Sequence, residues 1–204
     1  MKTTKVIIII LAVLLLCSST FAETNTGPFG IKWVASVEEL ESMGIKLKTI
    51  SLKGRITIYI SSKLPKNISM AELYFLFFDK QFKLQKVKMI SKDITGDAYG
   101  SEGKKTYSTF KSKLQKKYGA PTIEIERVGL ALYDGHGEFY QCLAYAGCGK
   151  WASAFETSDT AITIELKGKR RGSGYILLTY EGPSWSNAVD AMKSSTSKSD
   201  NDAL

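Results

Sequence analysis

Apolar residues recur along this chain at two spacings, every third or fourth position in some stretches and every second in others, dividing it into helices and strands. In "SVEELESMG" the residues Val37, Leu40 and Met43 fall at helical spacing, Ser36 and Glu39 form a capping box, and Gly44 ends a short helix. "RITIYIS" then alternates strictly, with Ile56, Ile58 and Ile60 expected on one buried face and Thr57 and Tyr59 on the other. "LPKN" breaks that strand. The next stretch, "ELYFLFFDKQFKLQKVKMISKDI", predicts two strands joined at Asp79-Lys80-Gln81. Its first strand, Leu73 to Phe78, is apolar on both faces and is expected in the interior of a sheet. The second shifts phase at a bulge near Gln85 and has one wet side. "SEGKKTYSTFKSKLQKKYGAP" gives the clearest helix, with Tyr107, Phe110, Leu114 and Tyr118 in one stripe, Gly119 as C-cap and Pro121 forbidding continuation.

Beyond Pro121 the pattern favours strands: "TIEIERVGLALY", "EFYQCLAY", "KWASAFE", "AITIEL" and "GYILLTYEG", the last three as an antiparallel meander. The expected fold class is α+β: a mainly antiparallel sheet, built from the hairpin and the C-terminal meander, covered by one long amphipathic helix, with a short N-terminal helix. No long repeat is evident, although the alternation of helix and sheet would accommodate one. Residues 23–182 are expected to form a single globular domain. Residues 183–204, which include "SSTSKSDNDAL", are polar and expected to be a disordered tail.

The first residues change the picture. "MKTTKVIIIILAVLLLCSSTFAE" places Lys2 and Lys5 before an apolar run from Val6 to Leu16, followed by a small-residue exit at Ala22, the layout of a cleaved secretory signal peptide over residues 1–22. The run is shorter than the ~20 residues a membrane-spanning helix needs, and Leu16 before Cys17 disfavours lipid attachment at that cysteine. The mature protein is therefore expected in the periplasm or the medium, without a transmembrane segment. Cleavage removes two lysines and no acid, so the formal charge falls from +8 to +6. It also leaves Cys142 and Cys148 as the remaining thiols. In an oxidising compartment that pair is most simply a disulfide. Zinc usually draws on four ligands, and one histidine does not complete the set. Five residues intervene, too many for a C-x-x-C redox motif. Closing so short a loop contributes about 2–3 kcal/mol in the chain-entropy account.

The opening "PFGI…SVEEL", the hairpin "LYFLFFDKQFKLQKVKMI", the helix end "KKYGAP" and the closing "GYILLTYEG" together resemble a loose set of small exported bacterial proteins, some carried by phages or mobile elements. The resemblance spans most of residues 28–181. It implies an exported location and an α+β fold. The set mostly lacks an assigned activity, so no catalytic residue is carried over.

Three groups of side chains are candidates for function. Asp134, His136 and Glu138 in "YDGHGEFYQC" have the composition of a metal or acid–base site, but alternate residues in a glycine-rich stretch equally suit a hairpin tip. No nucleophile elbow, phosphate loop or calcium loop accompanies them. Basic residues form the second group: Lys111, Lys113, Lys116 and Lys117 on the helix, Lys83, Lys86 and Lys88 on the hairpin, and Lys167, Lys169, Arg170 and Arg171 in a loop. Converging, they would hold an acidic protein or an anionic envelope surface; separate, they are a solvated face. Nucleic acid is disfavoured by export. Aromatics are the third group, with Trp33 and Trp185 expected to be more exposed than Trp151.

The reading that follows is an exported, non-catalytic binding module with no cofactor, acting on an envelope or extracellular protein or surface as an immunity, exclusion or inhibitor protein. Its expected partner-binding residues are Lys111, Lys113, Lys116, Lys117, Lys169, Arg170 and Arg171, and its disulfide is Cys142–Cys148. The rivals are a hydrolase or metal-dependent enzyme around His136 and a carrier of a lipid or other hydrophobic ligand. Expressed with its leader in a bacterial host, the protein should be recovered starting at Glu23, two hydrogens lighter than the reduced chain; mass spectrometry finding an intact precursor with free thiols would overturn the exported reading.

Overall fold

A computed structural model describes residues 27–129, 133 and 137–203. The leader lies outside them, as do Asp134 and His136. The strands are β1 (Lys48–Lys53), β2 (Ile56–Ser61), β3 (Ala71–Asp79), β4 (Lys83–Ser91), β5 (Ile123–Val128), β6 (Gly149–Glu156), β7 (Ala161–Arg170) and β8 (Ser173–Glu181). The helices are α1 (Val37–Ser42), α2 (Ser101–Tyr118), α3 (Phe139–Ala144) and α4 (Trp185–Ala203), with a 3-10 turn over Pro28–Gly30. The protein is thus α+β, and the strands make one sheet in the order β1-β2-β3-β4-β8-β7-β6-β5, antiparallel at every pairing. The pattern of a helix followed by a four-stranded meander is written twice, and the two halves meet at β4 and β8.

Local chemistry sets the turns. Asp79, its side chain fully buried, accepts hydrogen bonds from the backbone N–H groups of Gln81 (2.8 Å) and Phe82 (3.0 Å), which curls the chain from β3 into β4. Arg55, in the turn between β1 and β2, donates to both of its oxygens at 2.6 and 2.9 Å. Burial pushes the Asp79 carboxyl up, but these donors outweigh it and hold the group below the usual carboxylate range. Two adjacent hairpins are thereby tied at one end. At the bulge, Gln85 is the extra residue between Leu84 and Lys86, and its buried side chain donates to Phe82 O (2.8 Å).

One face of the sheet carries the core. Tyr74, Leu76, Val87, Met89, Phe155, Ile162, Ile164, Leu166, Ile176 and Leu178 are all at most 2 % exposed, and α2 and α3 pack against the half made of β5 to β8. Tyr107 of α2 shares a 2.7 Å hydrogen bond with Ser153 of β6, and burial pushes its hydroxyl pKa up to about 12. Leu114, Phe110 and Tyr118 continue the stripe onto the same cluster. Phe29, in the 3-10 turn, makes edge contacts with Tyr74 and Tyr180, bridging the two halves.

Tyr140 of α3 occupies the tightest place in this layer. Gly168 and Gly174 face each other across β7 and β8. A Cβ on Gly168 would lie 1.7 Å from Tyr140 O, one on Gly174 2.3 Å from the Tyr140 ring, and one on Gly103 of α2 2.2 Å from its hydroxyl. Three glycines therefore let helix and sheet backbones approach around a single side chain. The Tyr140 hydroxyl donates to Asp97 (2.8 Å), which also accepts from Gly103 N–H (2.9 Å) at the start of α2.

Several sequence expectations change. "EFYQCLAY" contains helix α3 and not a strand: Phe139, Tyr140, Cys142 and Leu143 are all buried, at i, i+1, i+3 and i+4, which a helix presents to one neighbour and a strand would split between two faces. Strand β1, short and at the sheet edge with Ile50 and Leu52 exposed, is an addition to the strands expected from the sequence. Ile58 and Ile60 lie half-buried on the face away from the core. Strand β7 runs on through Lys169 and Arg170, so the basic loop is the end of a hairpin turning at Arg171-Gly172. Trp33 is 2 % exposed, with Nε1 donating to Thr160 Oγ1 (3.1 Å). Helix α4 occupies the segment expected as a disordered tail. The interior placement of β3, the bulge at Gln85 and the β6-β7-β8 meander agree with the sequence reading. LALY, at 130–133, lies mostly outside the described residues.

Tyr140→Phe, which removes only the hydroxyl, should destabilise the domain by about 1–2 kcal/mol. Gly168→Val, which pushes the α3 backbone off the sheet, should prevent a cooperative thermal transition; a Gly168→Val protein melting like wild type would refute the close approach.

Candidate functional site

Strand alternation places a second set of side chains on the face turned away from α2. Register fixes them as cross-strand rows. Phe77 of β3, Lys86 of β4 and Glu181 of β8 form one row. The next contains Phe75, Lys88 and Thr179, continuing to Thr163 of β7. The third contains Leu73, Ile90 and Leu177, continuing to Glu165, and Tyr175 pairs with Lys167 beyond it. Ile58 and Ile60 of β2 flank the phenylalanines. These aromatic and aliphatic side chains are half-buried, neither sealed in a core nor fully in water.

The charges on this outer face are unequally matched. Lys86 Nζ lies 2.6 Å from Glu181 Oε1, and Lys167 Nζ lies 3.7 Å from Glu165 Oε2. Lys88, between Phe75 and Thr179, has no ion-pair partner among the described residues. Its ammonium stands 5.7 Å from the Phe77 ring centroid. Burial pulls Lys88 below the usual lysine pKa, and Lys86 and Lys167 add to the effect, while Glu165 and Glu181 oppose it. At one end of the face, Leu73, Ile90 and Tyr175 floor a groove whose rim carries Glu72, Asp93 and Lys169.

The seven basic residues expected from the sequence to bind a partner are not brought together. Lys111 turns back onto β5, ion-paired with Glu124 (3.1 Å) and Glu126. Lys113, Lys116 and Lys117 are exposed along α2, with Lys117 over the Tyr118 ring at 4.7 Å. Lys169 pairs with Asp93 at 2.6 Å, Arg170 is exposed, and Arg171 lies 3.6 Å from Glu138. The backbone hydrogen bond from Asp97 N to Gly172 O (3.1 Å) fixes the 171–172 turn just before α2 begins. The helix lysines start ten residues further on, roughly 15–24 Å away at helical rise. Of this set Lys169 alone reaches the outer face, at the rim of the groove. Lys86, Lys88 and Lys167, which belong to the wider basic group named from the sequence but not to its expected partner-binding residues, are the ones that share that face. The signal that locates them is the alternation of Lys86 and Lys88 with Val87 and Met89, read together with Phe75 and Phe77 opposite.

Cys142 and Cys148 stand at disulfide distance, with Cα atoms 5.0 Å apart, joining the end of α3 to the start of β6. His136 lies outside the described residues, and no group of three or more His, Cys, Asp or Glu side chains suited to a metal ion occurs among those described. No helix of the described residues is long and apolar enough to cross a membrane. The layer between α2 and the sheet is filled by Tyr107, Leu114, Tyr140, Phe155 and Ile164, so carriage of a hydrophobic ligand there would require that layer to open. What the outer face can do chemically is bind: flat apolar rings and aliphatic chains give contact area, and lysines receive carboxylates.

A lysine whose pKa is lowered by folding costs stability while it is charged, throughout the range below its folded value, and the cost disappears as pH rises past the unfolded value near 10.5. Lys88→Met should therefore keep the melting temperature unchanged or raise it by a few degrees at pH 7, with the gain shrinking above about pH 10. A marked fall in Tm would show that Lys88 is a structural element.

No family model, curated protein or solved structure matches the chain.

Proposed function

We propose that this protein is an exported, non-catalytic binding module that occupies the surface of an envelope or extracellular protein with the outer face of its sheet, while α2 covers the other face. The observation that carries the reading is Lys88: a half-buried ammonium without an ion-pair partner among the described residues, set between Phe75 and Thr179 on an open sheet with the Phe77 ring 5.7 Å away. Such an arrangement works against folding and is repaid when a partner brings a carboxylate to it. Lys86 and Lys167 on the same face favour the same sign of partner. The partner is therefore an acidic protein surface with apolar side chains around the acid, and masking such a surface is how an immunity, exclusion or inhibitor protein acts. The lysines of α2 and the Lys169 to Arg171 hairpin end are outlying charges that steer the approach of that partner.

Envelope extract passed over the immobilised mature protein should give one saturable partner, released by salt and lost with Lys88→Glu or Phe75→Asp, whose circular dichroism remains that of wild type. Lys113→Glu and Lys116→Glu should slow association without abolishing it. Retention of the partner by folded Lys88→Glu protein would exclude the outer face.

A further inference from the structure

Helix α4 begins on the outer face. Trp185 packs edge-on against Phe77 with ring centroids 6.0 Å apart, and Lys86 Nζ lies 4.5 Å above the Trp185 ring. Trp185, Ala188, Val189 and Met192 recur at i, i+3, i+4 and i+7; Ala188 is fully buried and the other three, with Ala191, are half-buried, while Ser186, Asn187, Asp190 and Lys193 are exposed. The helix contacts the sheet at β4, and from Lys193 to Ser195 it is exposed on every side. The chain is pinned just before it: Gly182 N donates to Gln85 O (2.7 Å) and Ser184 N to Gln85 Oε1 (2.9 Å). A fixed pivot is thus followed by a short apolar stripe resting on the same Phe77–Lys86 row that belongs to the candidate docking face.

We infer that α4 is a displaceable strap, with Trp185 acting as a self-ligand that covers the Phe77–Lys86 end of the docking face until the partner replaces it. This inference rests on the docking reading given above. It follows from the geometry that the ring site accepts an aromatic side chain beneath an ammonium, so the partner presents an aromatic residue beside its acidic one. Displacement needs only the first two turns of α4 to lift, because Gln85 holds the pivot.

The test uses the full mature chain. Trp185→Ala should raise amide exchange in α4 at least tenfold while β3 and β4 keep their protection, and should strengthen capture of the acidic envelope partner several-fold. A synthetic peptide of residues 184–204 should compete with that partner for the Trp185→Ala protein. Ala188→Asp, which lifts the same helix from a buried position, should act like Trp185→Ala, and it decides the question if the tryptophan variant loses its fold. Capture unchanged or weakened in both variants overturns the strap. Lys88→Glu separates the two readings: if it abolishes capture while the α4 variants fail to strengthen it, the strap alone falls; if it leaves capture intact, or if no form binds saturably, the docking reading falls and the strap with it.

Discussion

Tyr140 is held by backbone more than by side chains, and the second half of the domain depends on that contact. The paired glycines of β7 and β8 let α3 lie directly on the sheet, Gly103 lets α2 close over the phenol, and Asp97 collects the hydroxyl together with an N–H from the start of α2. Burial and the neighbouring carboxylate both push the Tyr140 pKa well above the usual tyrosine range, so the group stays a neutral donor. Two residues further on, Cys142 joins Cys148 and anchors the start of β6. Helix α2, helix α3 and three strands therefore share one small region in which any added methyl group meets an occupied position. In the first half the comparable organising role falls to Asp79, which ties two turns through Arg55 and two backbone donors.

How much of this was legible in the chain depends on where the information lay. Helix α2 was plain because stripe, C-cap and following proline all agree, and the Gln85 bulge was plain because the lysines change phase against the apolar residues there. Strand β1 was hidden: its alternation is confined to Ile50 and Leu52, both exposed at a sheet edge. Helix α3 was misread as a strand because aromatic residues favour strands locally, whereas tertiary packing against a glycine window decides the matter. Helix α4 was missed because composition over the whole tail conceals a stripe confined to its first two turns. The site was legible only in parts. The sequence shows that Lys86 and Lys88 share a face of their strand opposite Phe75 and Phe77 of the same hairpin, but Glu181 comes from a strand 95 residues further on.

The two faces of the sheet are chemically distinct for a reason that bears on function. On the inner face the hydroxyls of Tyr107 and Tyr140 find partners, Trp151 Nε1 is buried without one, and the aromatic rings meet edge-on. The outer face pairs Lys86 and Lys167 with carboxylates, leaves Lys88 without an ion-pair partner among the described residues and keeps Phe75 and Phe77 half-buried. A domain selected for stability alone would favour an aliphatic residue in place of Lys88.

Strand β8 is the last of the eight to be synthesised and yet lies in the middle of the sheet, joined to β4 by pairs such as Lys86 and Glu181, 95 residues apart. Each four-stranded meander zips locally, but the seam between them closes only when nearly the whole chain is available. Until then β4 is an unpaired edge bearing Val87 and Met89, the kind of edge through which partly folded chains associate. The sheet is therefore joined across its middle only once the chain through β8 is present.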